Sequence, residues 1–578
     1  MLKSLVAVLA SIAVSFSSFT GCVFSNIADG VSEIFFGIPC TSDAFEDGFL
    51  EKIDDSCVTA LSENSGIVRG KIVLIMNPET GVFKRHFCLV SNSLRAVGWC
   101  SSVDLFITDC GLKRFDDIER QCAEVEKCEE ILKAFPLTAD LVQPDYTPSD
   151  PFDGGTYWNE VSPAGSNWWL EAVQARQAWD YSQYFAPVRL GITDSGFQLD
   201  HPDLEGKISF PKKYQQKRNY PERHGCHVAG IIAAKSDNGV GISGICPHAT
   251  LSCVDWQPLE KGQAKWITGI AIVFGLVSNV KNGAKAVNFS VGMSSSIKEG
   301  KNKLDIFSRD CSAIAASYAM AALLNRGYDF IAVHSAGNGN KESKPVDASN
   351  NGYFASINEH NCFTGLYKYS YDDIISRVIV VGAARNDGGG RYIQTSYSNQ
   401  GTAVTVAAPG SGVYSCVDES GYDYMGGTSM AAPVVTGIAG LIWSVNPDFT
   451  GSEVKDIIVN NTKGTAVINK DAEYIGSEGQ FDLPMVNARL SVEEALRRTY
   501  GNLGSVSGKV RIYDREHTVV TFNGKSHTVL YDGSFSFITS EGSGEITVSG
   551  ADGKPLYTAD ITVTAGEETA VEFQPKLF

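Results

Sequence analysis

A chain of 578 residues is too long for one compact domain, and two to four folding units are expected. Hydrophobic residues make up 43% and charged residues 20%, the balance of a globular protein with ample material for a core. The formal net charge of −18 argues against nucleic acid as a partner, because phosphate binding needs clustered Lys and Arg.

Residues 1–22 read as an export signal: Lys3 gives a short positive start, Leu5 to Phe19 is apolar with scattered Ser, and small Gly21 precedes Cys22. Phe19-Thr-Gly-Cys22 resembles the bacterial lipobox, in which the Cys is acylated after cleavage, although Leu is usual where Phe19 stands. Acylation at Cys22 would anchor the chain to a membrane surface, and plain signal cleavage is the alternative. No later run is read as long and apolar enough to span a bilayer.

Residues 23–142 form a Cys-rich region, with strand-like runs such as Gly70-Lys-Ile-Val-Leu-Ile-Met76. Seven of the 14 cysteines lie between Cys40 and Cys128, and in an exported chain such density predicts disulfides whose pairing the sequence does not give. Residues 143–157 are rich in Asp, Pro, Thr, Ser and Gly and read as an exposed linker.

From 158 to 500, strand-like runs alternate with helical ones. Val188-Arg-Leu-Gly-Ile-Thr193, Ala286-Val-Asn-Phe-Ser290, Asp329-Phe-Ile-Ala-Val333 and Arg377-Val-Ile-Val-Val381 are the strands, with helices around 227–235, 263–281 and 311–326. The alternation predicts an α/β fold of three layers, a mostly parallel sheet with helices on both faces. Residues 501–578 carry short alternating runs punctuated by Asn523-Gly524, Asp532-Gly533 and Asp552-Gly553, the signature of a small all-β sandwich of six or seven strands.

Three motifs in the middle region carry chemistry. Ile192-Thr-Asp194-Ser-Gly196 is a strand ending in a carboxylate and a tight turn. His224-Gly-Cys-His227-Val-Ala-Gly230 opens a helix, and Gly426-Gly-Thr-Ser429-Met-Ala-Ala-Pro433 is a glycine-rich turn running into another. Acyl transfer needs an activated hydroxyl, a base for its proton, and a group that fixes the base's tautomer. Asp, His and Ser in this chain order are one known solution.

These motifs resemble the three signatures of the subtilase family, and the likeness spans roughly residues 158–500. Gly244-Ile-Cys-Pro-His-Ala, Ala407-Ala-Pro-Gly410 and Val486-Asn-Ala488 also fall in family order. The resemblance implies a serine endopeptidase acting on protein or peptide substrates, with Ser429 as nucleophile, His224 as general base and Asp194 as the orienting carboxylate. Ser335-Ala-Gly-Asn338 resembles the family segment whose Asn donates to the oxyanion, so Asn338 takes that role. Ser290, Val291 and Gly292 are implied as one wall of the substrate cleft, and Ser335, Ala336 and Gly337 as the other. With neither wall charged, a neutral side chain is favoured in the first pocket.

No redox or organic cofactor is implied. Calcium is possible as a structural ion, because Asp203 aligns with an Asp that binds it in some relatives, though one carboxylate is thin support and a turn role is the alternative. Residues 23 to about 150 stand where the family has its propeptide, and a permanent accessory domain is the other reading. Cys226 stands where the family has Thr and reads as a small buried substitute, His334 stands where it often has Ala and reads as a packing variant, and His227 is assigned no chemistry. Lys341 to about Asp373 read as an inserted surface loop near the cleft, with its own Cys362. The rival to a protease is a catalytically silent binding or adhesion protein, whose usual sign, a missing triad member or oxyanion Asn, is absent.

Overall fold

The computed structural model describes residues 57–144, 168–211, 223–256, 267–293, 303–466 and 483–573, apart from short gaps at 61–64, 101, 113, 141, 341–342, 388–390, 511–517, 531 and 551–552. The expected signal, Cys22 and Cys40 lie outside the described residues.

The N-terminal unit follows the order strand, helix, strand, strand, helix, strand. Its strands Ser65–Met76, Arg95–Cys100, Leu105–Asp109 and Ile131–Asp140 form an antiparallel sheet in the spatial order Ile131–Asp140, Ser65–Met76, Leu105–Asp109, Arg95–Cys100. The period of two along the strands gives the sheet two apolar faces. Ile72, Leu74, Met76 and Phe106 pack with Leu89, Ile118 and Cys122 of the two helices Val82–Ser91 and Phe115–Val125. Val73, Ile75, Leu105, Ile107, Phe135 and Leu137 join the core of the middle region instead. There the sheet meets the helices Gly269–Lys281 and Lys303–Asn325. Ile267–Thr268 extends it, pairing antiparallel with Ala139–Asp140.

Among the described residues Cys57, Cys88, Cys110, Cys122 and Cys128 are free thiols, and the expected disulfides are not seen there. Two complete apolar faces already give that unit a core. Burial pushes the Cys122 thiol up to about 12, so it behaves as a small apolar group.

The middle region is built on a sheet running from Ile208–Ser209 through Thr250–Asp255, Arg189–Asp194, Ala286–Phe289, Ile331–Ser335, Val378–Asn386 and Val406–Pro409 to Leu483–Val486, all parallel. Thr462–Ala466 and Tyr392–Gln394 add antiparallel edges. The near-continuous apolar strands are those of a sheet covered on both faces. The helix around 311–326 is longer than its sequence pattern, starting at Lys303. Helix Thr428–Val445 is long and apolar enough to cross a membrane, contrary to expectation, but every residue of it is buried and it serves as the central core helix.

Residues 503–571 form two facing sheets of three and four strands. Asn523 and Gly524 both adopt positive φ, 49° and 76°, as a tight hairpin turn between Val519–Phe522 and Lys525–Thr528 requires. The sandwich is fastened to the middle region by polar contacts. Asp180 accepts from the Thr528 backbone at 2.8 Å, and the Tyr181 hydroxyl accepts from the Ile538 backbone at 2.8 Å while donating to Glu493 at 3.0 Å.

Candidate active site

Parallel strands deliver their functional residues at their carboxyl ends. Asp194 closes strand Arg189–Asp194, Ser290 follows Ala286–Phe289, and Ser335 closes Ile331–Ser335. His224 is the first residue of helix His224–Ala233, and its Nδ1 lies 2.6 Å from Asp194 Oδ1. The same Oδ1 accepts the Ser195 backbone N–H at 2.7 Å, which fixes the carboxylate. A carboxylate there holds the proton on Nδ1 and leaves Nε2 as the basic nitrogen. Nε2 has no hydrogen-bond partner among the described residues.

Ser429 is the second residue of helix Thr428–Val445, where unsatisfied N–H groups and the positive end of the helix dipole favour negative charge. Gly427 just before it has φ 150°, a region open to glycine, which makes the sharp entry possible. Asn338 is oriented by Thr428, whose backbone N–H and hydroxyl both donate to its Oδ1 at 2.9 Å. Its Nδ2 is thereby turned away from Thr428, a buried donor with no acceptor among the described residues. The Thr428 hydroxyl also accepts the Gly337 N–H at 3.0 Å, so the Gly337-Asn338 segment and the turn before Ser429 form one unit.

Ser290, Val291 and Gly292, expected as one cleft wall, are buried at the end of the sheet. The chain's own segment Val142–Pro144 lies along this stretch as an antiparallel strand, pairing Val142 with Met293, Gln143 with Gly292 and Pro144 with Val291. Residues 143 and 144 were expected in a linker; the open backbone edge of the cleft recruits them as a strand instead. Ser335, Ala336 and Gly337, expected as the facing wall, are all buried.

Sequence reasoning missed Asn351, which is fully buried with its Nδ2 donating to the Ser335 carbonyl at 2.8 Å. It sits in the stretch expected to be a surface loop, and that expectation is corrected. Val346, Ala348, Tyr353 and Phe354 of this stretch are fully buried, Phe354 packing on Phe289 at 4.5 Å between ring centroids. The apolar pair Tyr353-Phe354 was the signal for it.

His227 and the two departures from the family pattern, Cys226 and His334, are packing groups. His227 is fully buried, its Nε2 lying 3.0 Å from the Val413 carbonyl, and burial pulls it down to about 3, so it stays neutral. Cys226 is buried and pushed up to about 12, an inert thiol. His334 lies among Phe289, Tyr353 and Phe354.

Asp203 does not fit a calcium ligand. Its Oδ1 accepts from Asn238 Nδ2 at 2.7 Å, and its Oδ2 from the Ile242 N–H at 2.9 Å and the Tyr422 hydroxyl at 3.0 Å. Asn238 Oδ1 is in turn taken by the Val240 N–H at 3.2 Å, so the amide faces Asp203 with its donor. Calcium wants six to eight oxygens, whereas Asp203 is met by donors. Among the described residues no group of three His, Cys, Asp or Glu could hold a metal.

Comparison with known proteins agrees with this geometry. Residues 187–502 match the subtilase family. The chain is 29% identical over 303 residues to thermitase of Thermoactinomyces vulgaris, covering 52% of this chain and 86% of that one. It is 25% identical over 405 residues to the thermophilic serine proteinase of Bacillus sp. strain AK1, covering 69% and 84%. The crystal structure of fervidolysin from Fervidobacterium pennivorans shares the fold, with a TM-score of 0.53 at 18% identity over 89% of this chain and 79% of that one. The chain therefore belongs to the subtilase family and is a subtilisin-like serine endopeptidase.

Proposed function

We propose that this endopeptidase works through Asp194, His224 and Ser429, with Asn338 completing the oxyanion site, and that residues 57–144 are a built-in inhibitor of that site. The observation that carries the catalytic reading is the buried Asn338 Nδ2 beside the nucleophile turn, a donor turned away from Thr428 and without an acceptor among the described residues.

In the proposed reaction the Ser429 hydroxyl attacks the scissile carbonyl carbon and His224 Nε2 takes its proton. Asp194 stabilises the resulting imidazolium. Negative charge on the former carbonyl oxygen is met by Asn338 Nδ2 and the Ser429 N–H. The imidazolium then protonates the leaving amine as the C–N bond breaks, leaving an ester on Ser429 that water, deprotonated by His224, hydrolyses.

The inhibitor reading rests on Val142–Pro144, which lies along the cleft wall in the way an extended substrate would. The sheet packed on helices Gly269–Lys281 and Lys303–Asn325 holds it there. Export, with anchoring through an acylated Cys22, is proposed from the sequence alone.

Labelling with a fluorophosphonate probe, beside Ser429→Ala, tests the catalytic reading. Labelling that disappears in the variant supports it. A folded chain freed of residues 1–145 that fails to label would leave a silent binding protein.

A further inference from the structure

The two walls of the first specificity pocket are bridged by a side chain. Asn351 Nδ2 donates to the Ser335 carbonyl at 2.8 Å, which sets the orientation of its amide. Its Oδ1 then reaches both glycines of the walls: a methyl added to Gly292 would stand 2.2 Å from Oδ1, and one added to Gly337 2.5 Å from it. Asn399 supports the arrangement from behind, donating to the Ala336 carbonyl at 2.9 Å and accepting from the Gly339 N–H at 2.9 Å. The space between the walls is therefore closed at short range by a carbonyl oxygen on a rigid frame.

We propose that Asn351 is the specificity-determining residue of this pocket, making it short and polar, so that cleavage follows Gly, Ala, Ser and similarly short residues rather than Phe, Tyr or Leu. The proposal rests on the protease reading above. A short side chain leaves this buried amide in place. An aromatic ring must displace a buried amide that holds Ser335, three residues before Asn338. Its entry therefore disturbs the oxyanion donor as well as the pocket. Discrimination on size alone runs about 10- to 200-fold per methylene, and the coupling to Asn338 adds to it.

The test is kcat/KM of the mature enzyme on tetrapeptide amides that differ only in the residue before the cut: Ala, Ser, Leu or Phe. Active sites are counted with the fluorophosphonate probe. The wild type is expected to favour Ala and Ser over Phe by about 100-fold. Asn351→Gly should narrow that ratio at least about tenfold, with turnover of the Ala substrate falling as well because Ser335 loses its brace. Should Asn351→Gly not fold, Asn351→Ser, which keeps a short polar group, is expected to shift the ratio in the same direction. A labelled wild type that prefers Phe, or a labelled variant with an unchanged ratio, overturns the proposal and leaves the protease reading standing. A folded mature chain that does not label overturns both.

Discussion

Ser429 and Ser290 hold each other: the Ser429 hydroxyl donates to the Ser290 carbonyl at 3.2 Å, and the Ser290 hydroxyl donates to the Ser429 carbonyl at 2.7 Å. The nucleophile thus rests against the cleft wall, and it must turn toward His224 Nε2 to react. Asn288 Nδ2 donates to the Ser290 hydroxyl at 2.9 Å, so the wall itself is braced. Ser290→Ala removes the return bond but keeps the carbonyl on which Ser429 rests. The expected result is a stability loss of about 1 kcal/mol and a fall in kcat of less than about tenfold. Steady-state kinetics with a melting curve in the Ser429→Ala background checks both halves.

Asp194→Asn should be far more costly. Both bonds fall on Oδ1, so the amide either keeps its oxygen there as an uncharged acceptor, or turns its NH2 there against the Ser195 N–H and leaves the Nδ1 proton with no acceptor. Either way the imidazolium loses its counter-charge, and kcat is expected to fall by up to about 10⁴-fold, the loss known for this change in a serine protease of another fold. The melting temperature should shift little by comparison. A drop of less than about tenfold would remove Asp194 from the triad.

The parallel sheet and the residues proposed as triad and oxyanion donor could be picked out in the sequence because each depends on a local motif: a carboxylate at a strand end, a helix start, a glycine turn. Asn351 could not, since its place opposite Gly292 and Gly337 depends on how a long excursion folds back over the sheet. The strand at Val142–Pro144 was hidden for a related reason. Its Pro and the Asp, Pro and Gly that follow read as a linker, and only its partner strand makes it extended. Calcium at Asp203 failed because alignment shows the carboxylate but not the Tyr422 hydroxyl that answers it.

Removal of Asp203's partners should therefore be insensitive to calcium. Tyr422→Phe is expected to lower stability by about 1–2 kcal/mol, the worth of a hydrogen bond to a charged acceptor. Melting curves in calcium and in EDTA should show the same gap between the variant and the parent. A gap that widens in calcium would mean an ion does occupy that carboxylate.

The pairing of Pro144 with Val291 and Gln143 with Gly292 sets a register for cleavage. One step beyond Pro144 in that register corresponds to Ser290, which exchanges hydrogen bonds with Ser429. Self-cleavage is then expected after Asp145, giving mature enzyme that starts at Tyr146. Covalent attachment makes the local concentration of this segment high, which offsets an imperfect side chain at the cut. N-terminal sequencing of the processed wild type, beside an unprocessed Ser429→Ala chain, decides it. Processing that persists in the variant would show that another protease does the cutting.

Asp180 makes the junction with the β-sandwich sensitive to pH. Burial pushes its carboxyl from 3.8 up to about 7, against the Thr528 N–H and hydroxyl that donate to it at 2.8 and 3.1 Å. A folded-state value above the unfolded one means the folded chain binds the extra proton between about pH 4 and 7. Stability from this group is therefore full below about pH 4 and declines as pH rises to about 7. Asn at this position keeps an oxygen for Thr528 and never ionises. Asp180→Asn is accordingly expected to be more stable than the parent at pH 8, by on the order of 1–2 kcal/mol, with the advantage shrinking toward pH 4.5. Denaturant melts of both chains in the Ser429→Ala background, at pH 4.5, 6 and 8, measure the difference free of self-digestion. Because every other titrating group is common to the two chains, a difference that stays flat across that range would mean Asp180 is as ionised in the folded chain as in the unfolded one.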